Sequence, residues 1–471
     1  MDLEPERRTL GKADGVAVSA RADNARMLAS LVGMDEDEAA ERLHCRILVT
    51  AEPGAAKTWA VSIAELLERT VIVTDSPTEA DLELVVGNAA ARSHAPRLFA
   101  AIDAKSAVIA SKPTMLSGGR PHPLLAMVFA CAAAAATLRA AIGEPRLPAV
   151  PDPLYVRAAD IGLPELPAIA SIDLTGAVLV GAGAVAHGFM RALRYLPVRG
   201  KLDIVDPKTV GPSNPNRCLY LTDEDVGAPK AEALARHAAK EFPDLVLRPL
   251  VMDFKTYATR QGKVPLAVTT VDSRRVRRQI QMCVPGRVVD ASTTDVRAVV
   301  VHSHVQPTDH ACLACTYRHV VDEEARERSI AAGLGLELND LKKGLIDADM
   351  AKKIVATHTE IDPGSLVGKA FDTLFRELCG AQALHTTEGR QTLTPFAFVS
   401  NLAGALAAVE LVRQELGQAP TNYWQVDPWR SPLARLRQRR PRASDCQFCS
   451  RPDAADVVHD LWGSQHSVAR A

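Results

Sequence analysis

Two stretches of this chain run the same course: "RILVTAEPGAAKTWAVSIAELLERTVIVTD" (46–75) and "AVLVGAGAVAHGFMRALRYLPVRGKLDIVD" (177–206). Each reads as an apolar strand, a turn of small residues, a helix, a second strand and a closing Asp. Such a unit hides its strands only in a parallel sheet covered by helices. A second pair matches further along: 121–144 and 394–417 are both Pro-started, Ala-rich helices ending in Gly. The shared order at both ends predicts a duplication. The expected fold is therefore α/β, with two Rossmann-like units in tandem, 1–150 and 151–471. Residues 145–170 are Pro-rich and read as the linker.

The copies are not equivalent. The first has Pro53 in its turn and lacks the glycines of the second, and after Asp75 it runs "SPTEADLELVVG". In the second, "GAGAVA" (Gly181, Gly183, Ala186) follows a strand and opens a helix. Glycines there let the backbone approach a phosphate, and a helix N-terminus favours negative charge. Asp206 ends the next strand, placed to accept hydrogen bonds from ribose hydroxyls. To this point NAD and ATP fit equally.

The residues that follow discriminate. Asn214 and Arg217 lie in the loop after Asp206. Lys230 sits at the start of the following helix in "GAPKAEAL", within a run (223–242) that as a whole also reads as helical. Asp272 ends a later strand in "TTVDSRRVR", where it could also cap the next helix. An NAD site has no need for Arg, Lys and a further Asp converging on the pyrophosphate. A reaction at the α-phosphate of ATP does: the cations offset phosphoryl charge, and the carboxylate can hold Mg2+.

Four of the nine cysteines fall into two pairs, "CLAC" (Cys312, Cys315) and "CQFC" (Cys446, Cys449). Two C-x-x-C knuckles predict a tetrahedral structural Zn2+ site with no open position for catalysis. A formal net charge of −1 gives no global signal for nucleic acid. The Arg-rich run 430–442 has no interleaved aromatics beyond Trp429 and suits a solvated connector or a face for an acidic partner. The apolar stretches near 123–138 and 396–412 read as buried helices, not membrane spans. No apolar core marks the first residues as a signal peptide, so a cytoplasmic location is expected.

Together, "LVGAG", "VDPKTVGPSNPNRCLYLTDEDVGAPKAEAL" and "TTVDSRRVR" resemble the adenylation domain of ubiquitin-activating enzymes and their ThiF/MoeB-like bacterial relatives. The resemblance covers roughly 155–430. It departs at Cys218, where the family has Gln, and at Ala186, where it has a third Gly. The resemblance implies C-terminal adenylation of a ubiquitin-fold protein, with Asp206 on the ribose, Arg217 and Lys230 on phosphates, and Asp272 on magnesium. "YVR" (Tyr155–Arg157) resembles the family's entry motif. By carry-over, the N-terminal unit is an inactive partner that lends the live site an arginine, with Arg8, Arg21 and Arg26 as candidates, while Arg157 faces the dead site.

The resemblance also implies a thioester cysteine in the crossover region. Cys379, in "ELCG" beside Gly380, fits that place, with Arg376 and His385 near in sequence, though the family's "P-x-C-T" motif is absent. Cys45, Cys131, Cys218 and Cys283 are weaker candidates. The leading expectation is an activating enzyme for a ubiquitin-like protein that passes it to a carrier enzyme, of the kind found in bacterial antiphage conjugation operons. The alternatives are adenylation of a sulfur carrier or peptide without an enzyme thioester, a non-catalytic nucleotide-binding scaffold, and, most remotely, an NAD-dependent dehydrogenase.

Overall fold

A computed structural model describes residues 18–463 apart from 117–119, 164–170, 296, 319–320, 342–345, 368–370, 372–373, 375–395 and 434–435. Helices α1 (Val18–Val32) and α2 (Glu36–Arg42) lead into the first sheet. It contains β1 (Arg46–Ala51), β2 (Ile72–Thr74), β3 (Leu82–Val86), β4 (Arg97–Ile102), β5 (Ser106–Ala110) and β6 (Leu154–Arg157), in the order β2-β1-β3-β4-β5-β6. The first four strands in that order are parallel, and β5 and β6 are antiparallel additions. Helix α3 (Ala55–Leu67) joins β1 to β2, and α4 (Pro123–Ile142) joins β5 to β6.

The second sheet is built from β7 (Ile172–Asp173), β8 (Ala177–Val180), β9 (Val198–Val205), β10 (Leu245–Leu250), β11 (Leu266–Thr269), β12 (Arg287–Asp295), β13 (Ala298–Val305), β14 (Tyr423–Val426) and β15 (Leu436–Gln438). Its order is β10-β9-β8-β11-β12-β13-β14-β15, with β7 beside β9. From β9 onward, β9-β8-β11-β12-β13-β14 repeats the first sheet strand for strand, including the change from parallel to antiparallel after the fourth strand. The remaining helices are α5 (Ala184–Leu193), α6 (Lys230–Ala238), α7 (Phe254–Gln261), α8 (Arg274–Met282), α9 (Leu313–Thr316), α10 (Val321–Gly333), α11 (Leu338–Leu341), α12 (Ala348–Thr357), α13 (Ala397–Glu415) and α14 (Pro452–Trp462). α5 follows β8 as α3 follows β1, and α13 precedes β14 as α4 precedes β6.

Two expectations fail at identifiable residues. The stretch 145–170 is not only linker: β6 forms within it and pairs with β5, so Tyr155 and Arg157 belong to the first sheet. The unit boundary expected at 150 therefore lies beyond β6. The stretch 223–242 is also not one helix. A 3-10 turn at Asp223–Asp225 is cut off by Gly227 at φ +90° and by Pro229, and α6 starts only at Lys230.

The two sheets share one core. α4 packs on the first sheet and α13 on the second, and α3, α4, α5 and α13 touch one another between them. A single apolar cluster runs from Met27 and Leu28 through Phe129 to Phe189, Phe398 and Trp429. α4 is long and apolar enough to cross a membrane, but most of it is buried here. Its boundaries follow the sequence, with Pro123 in the first turn and Gly143 at φ +64° as the left-handed stop. α5 and α13 cross at glycines. A Cβ on Gly404 would lie 2.1 Å from the Val185 carbonyl oxygen, and one on Gly188 would lie 2.5 Å from that of Asn401. That close crossing sets α13 against the loop that follows Asp206.

Candidate functional site

The glycine turn sits at the carboxyl ends of β8 and β11, where open α/β sheets place ligands. Gly181 has φ +94°, and a Cβ there would crowd Thr270 at 3.2 Å. The Thr270 hydroxyl donates to the carbonyl oxygens of Val180 and Gly181 at 3.0 and 2.9 Å, which fixes the turn. Over Gly183, the residue that opens α5, a Cβ would meet nothing within 4 Å. The space above the helix N-terminus is thus clear for an anion. Asp206 is buried and accepts N–H bonds from Ala182 and Lys208, both at 2.7 Å. Those bonds orient its carboxylate and leave lone pairs for a ribose.

The loop "SNPNRCLY" is buried along most of its length, so its backbone groups need partners. They come from three directions. Asn401 on α13 donates its amide N–H to the Arg217 carbonyl oxygen at 3.1 Å. His187 on α5 accepts the Tyr220 N–H at Nδ1, 3.1 Å away. The third partner belongs to the other unit. Arg69, between α3 and β2, donates to the carbonyl oxygens of Pro215, Leu219 and Leu221, the last two at 3.3 Å. Asn24 on α1 in turn donates to the Arg69 carbonyl oxygen at 2.8 Å and meets Asn216 at 3.4 Å. Sequence reasoning missed Arg69. At the end of a helix it looks like any basic last-turn residue, and the contact spans 146 positions.

Within this frame Asn214 is partly spent on the loop itself. Its Oδ1 accepts the Gly211 N–H at 2.9 Å, leaving its amide donors for a ligand. Arg217 is half-buried and donates to the Ser213 carbonyl oxygen at 3.3 Å. Lys230 opens α6, anchored by its N–H to the Lys208 carbonyl oxygen at 2.9 Å. The Cys218 thiol, fully buried, feels Arg217, Lys230 and Arg69 together with Asp206. Asp206, Asn214 and Arg217 thus follow β9 on one tied-down loop, and Lys230 opens the helix after it.

Asp272 lies at the mouth of the site, its side chain 61% exposed and Lys208 Nζ 3.6 Å from Oδ1. The cap of α8 is Ser273, which accepts the Val276 N–H at 3.2 Å. The loop carrying Asp272 is tied down from below. Buried Arg277 donates to the Val271 carbonyl oxygen and, at 2.7 Å, to Asp290. Tyr317 donates to the other Asp290 oxygen at 2.7 Å and stacks under the guanidinium at 4.6 Å. Burial works against the Arg277 charge, but Asp290 and Tyr317 outweigh it and raise its pKa.

The corresponding turn of the first unit is built differently. There Gly54 caps α3 as Gly183 caps α5, and two residues before it stands Glu52. Its carboxylate accepts the Asn88 N–H at 3.0 Å and lies against Gly87. A carboxylate thus stands in this turn at the place, two residues before the helix cap, that Gly181 holds in the second unit. Of the arginines considered for a helping role, Arg26 pairs with Asp23 at 2.5 Å. Arg21 lies three residues before Asn24 on α1, on the side that meets the loop. Arg157 pairs with Asp160 at 2.6 Å at the end of β6. Arg8 lies outside the described residues.

Cys312, Cys315, Cys446 and Cys449 converge, with all four sulfurs within 4.8 Å of one another. The contacts Cys312–Cys315, Cys312–Cys446 and Cys315–Cys449 measure 3.7, 3.8 and 3.8 Å. Zn–S bonds of about 2.3 Å in a tetrahedron give an edge of about 3.8 Å, far from the ~2.0 Å of a disulfide. Backbone N–H groups of Ala443, Phe448 and Cys449 point at these sulfurs, as thiolate ligands require. The four residues fit zinc. Among the other described cysteines, burial pushes the Cys45 thiol up to about 12 and also raises Cys131, Cys218 and Cys283. These four stay neutral thiols, poor nucleophiles. Cys379, with Arg376, Gly380 and His385, lies outside the described residues.

Three buried histidines predict acid lability. Burial drives His187 and His304 well below the ordinary value and His302 down to about 4. Their unfolded forms take up protons near pH 6.5, where the folded forms cannot. Stability is therefore full above that pH and lost as pH falls from 6.5 towards 4. His302 alone contributes about 3 kcal/mol across that window. Thermal melts between pH 7.5 and 4.5 should show a midpoint flat above pH 6.5 and falling steeply below it. A midpoint unchanged down to pH 5 contradicts the assignment.

Comparison with known proteins follows the same division. The model of the ThiF family matches residues 156–448, and that of the E1 N-terminal domain matches 17–164. The chain is 25% identical over 317 residues to "Uncharacterized protein y4jF" of Sinorhizobium fredii, covering 62% of this chain and 60% of that protein. It is 32% identical over 79 residues to the NEDD8-activating enzyme E1 catalytic subunit of Saccharomyces cerevisiae, covering 17% and 26%. A crystal structure of E. coli MccB with MccA-N7isoASN aligns at 16% identity and a TM-score of 0.36, covering 58% of this chain and 66% of that one. The chain thus spans less than two thirds of each of these relatives' lengths, 60% of the Sinorhizobium protein and 26% of the yeast subunit.

Proposed function

The chain belongs to the ThiF family, and from that premise we propose that it activates the C-terminus of a ubiquitin-like protein with ATP, using one live site and one inactive unit. A C-terminal carboxylate oxygen attacks the α-phosphorus of ATP. The bond from that phosphorus to the bridging oxygen breaks, pyrophosphate leaves with the electron pair, and an acyl-adenylate remains. The observation that carries this reading is the loop 213–221, gripped by both units, which holds Arg217 in place between Asp206 and Lys230 in the chain, with a clear helix N-terminus at Gly183. Arg217 and Lys230 offset charge on the phosphoryl oxygens, and Asp206 orients the ribose. A magnesium ion at Asp272 would supply further charge neutralisation. Glu52 repels a triphosphate at the first turn, which supports a single site per chain.

We further assign the thioester step to Cys379. Its sulfur would attack the acyl carbon and release AMP, before passing the substrate to a carrier enzyme. Radiolabelled pyrophosphate exchange into ATP, driven by a ubiquitin-like protein ending in Gly, tests the first step. Arg217→Ala and Asp272→Asn should each lower exchange by at least about 10²-fold. Exchange unchanged in both variants refutes the site. Cys379→Ala should keep exchange and lose a thiol-reducible adduct. An adduct that persists removes Cys379 and favours adenylation of a sulfur carrier or peptide without this thioester.

A further inference from the structure

A cavity of about 480 Å³ opens between the CLAC knuckle and the strand that leads to CQFC. Arg274, Arg318, Arg440 and Arg442 line it, with Cys315 and Ala443 at its base. The walls are fixed. The Arg440 N–H donates to Asn422 Oδ1 at 2.7 Å, its carbonyl oxygen accepts the Ala311 N–H at 2.9 Å, and Ala443 is bonded to Cys315. The Arg440 guanidinium carbon lies 3.2 Å from the centre of the Tyr423 ring, which holds this side chain at the cavity wall. Arg442 is held by the Thr308 carbonyl oxygen. Two carboxylates stand near, Asp445 at 3.4 Å from Arg318 and Asp309 at 3.7 Å from Arg442. Asp445 and Asp309 pair with Arg318 and Arg442, and the knuckle thiolates lie behind Cys315, so what the cavity offers an anion is the guanidinium forks at its rim and not a surplus of net charge.

Its position is as informative as its charge. Arg274 is two residues from Asp272, at most about 7 Å of chain. An occupant of the cavity therefore lies close to the residue assigned above to magnesium. We propose that this cavity holds an acidic segment of the protein substrate, Asp or Glu residues a few positions before its C-terminal carboxylate. The inference rests on the adenylation reading above, because it is that reaction which needs a tail delivered to Asp272. Planar guanidinium forks match carboxylates bidentately. Nucleic acid fits less well, since the Tyr423 face that could stack a base is covered by Arg440, and that of Trp424 by Arg437 at 5.2 Å.

The test uses the full chain and a fluorescein-labelled peptide, Glu-Asp-Glu-Leu-Ala-Gly-Gly, beside its Gln-Asn-Gln counterpart, read by anisotropy at low salt. The acidic peptide should bind about tenfold more tightly than the neutral one and weaken as salt rises. Arg318→Glu with Arg442→Glu should remove that advantage, and Arg318→Gln with Arg442→Gln should reduce it, while binding of a fluorescent ATP analogue stays at the parental level. Equal binding of the two peptides, or an advantage that survives charge reversal, overturns the proposal. So does a single-stranded oligonucleotide of equal charge that binds more tightly and is lost in the same variants. If the peptide binds as expected but the parental chain shows no ATP binding or exchange, the cavity stands and the adenylation reading falls. ATP-driven exchange without peptide discrimination gives the reverse.

Discussion

Replacing Arg69 with methionine is expected to disable a site to which Arg69 itself contributes no catalytic atom. Arg69 is 5% exposed, and its guanidinium supplies donors to three carbonyl oxygens of the loop carrying Arg217. Methionine fills a similar volume and donates nothing. A buried carbonyl left unmatched costs about 1–3 kcal/mol, and breaking such a charged, multiply bonded contact costs about 3–5 kcal/mol in total. The loop can lower that cost only by moving, which takes Arg217 off the phosphates. A displacement near 1 Å is worth about 10² in rate. The expected result is a fall in the melting midpoint together with a roughly 10²-fold loss of pyrophosphate exchange at saturating ATP. Amide protection should drop across 213–221 while β12 and β13 stay protected. Lysine at the same position should restore stability only in part, because one ammonium cannot reproduce the fork. A methionine variant with parental exchange and protection would show that the loop holds its shape without the first unit.

The contrast between Arg69 and its targets explains what the sequence revealed. Gly181, Asp206 and Asp272 were legible because each sits at or beside a strand end, and strand ends follow from local apolar patterning; Lys230 was legible because it opens a helix. The four zinc-site cysteines were legible because ligand spacing within each knuckle is local. The α4 and α13 boundaries were written in Pro123, Gly143 and the alanine runs between. Arg69 was not legible: nothing in its neighbourhood signals a partner in another unit. β6 was misassigned because its four residues lie in a Pro-rich stretch, and their strand identity comes from hydrogen bonds to β5. The long helix expected over 223–242 does not form because Gly227 and Pro229 interrupt a run otherwise rich in Ala, Glu and Lys. Glu52 was overlooked for the opposite reason. Its role depends on a comparison, since a carboxylate means something only where the other unit has Gly181.

Loss of the four-thiolate site is expected to reach further than the knuckles. Replacing Cys446 with serine, or stripping metal with a strong chelator under reducing conditions, should release zinc at one equivalent per chain. Structural zinc sites in small folding units contribute on the order of 10 kcal/mol. Here the surrounding core, with Trp462 donating to the Val284 carbonyl oxygen at 2.8 Å, retains part of the fold. A destabilisation of several kcal/mol is therefore expected, seen as a melting midpoint lowered by ten degrees or more. The second effect is specific. Tyr317 follows the CLAC turn directly and is bonded to Asp290, which holds Arg277, which holds the Val271 carbonyl oxygen beside Asp272. Without the metal, Tyr317 loses its anchor and this buried chain slackens at one end. ATP affinity measured with magnesium should then weaken more than ATP affinity measured with EDTA, because only the Asp272 arm is disturbed. Tyr317→Phe gives a milder version with zinc still bound: it deletes one hydrogen bond to Asp290 and should produce the same magnesium-dependent loss without the large fall in midpoint. If the Tyr317 variant binds ATP and magnesium as the parent does, the knuckles serve the architecture alone. If the Cys446 variant melts at the parental temperature and the parent yields no zinc, the four cysteines hold no metal.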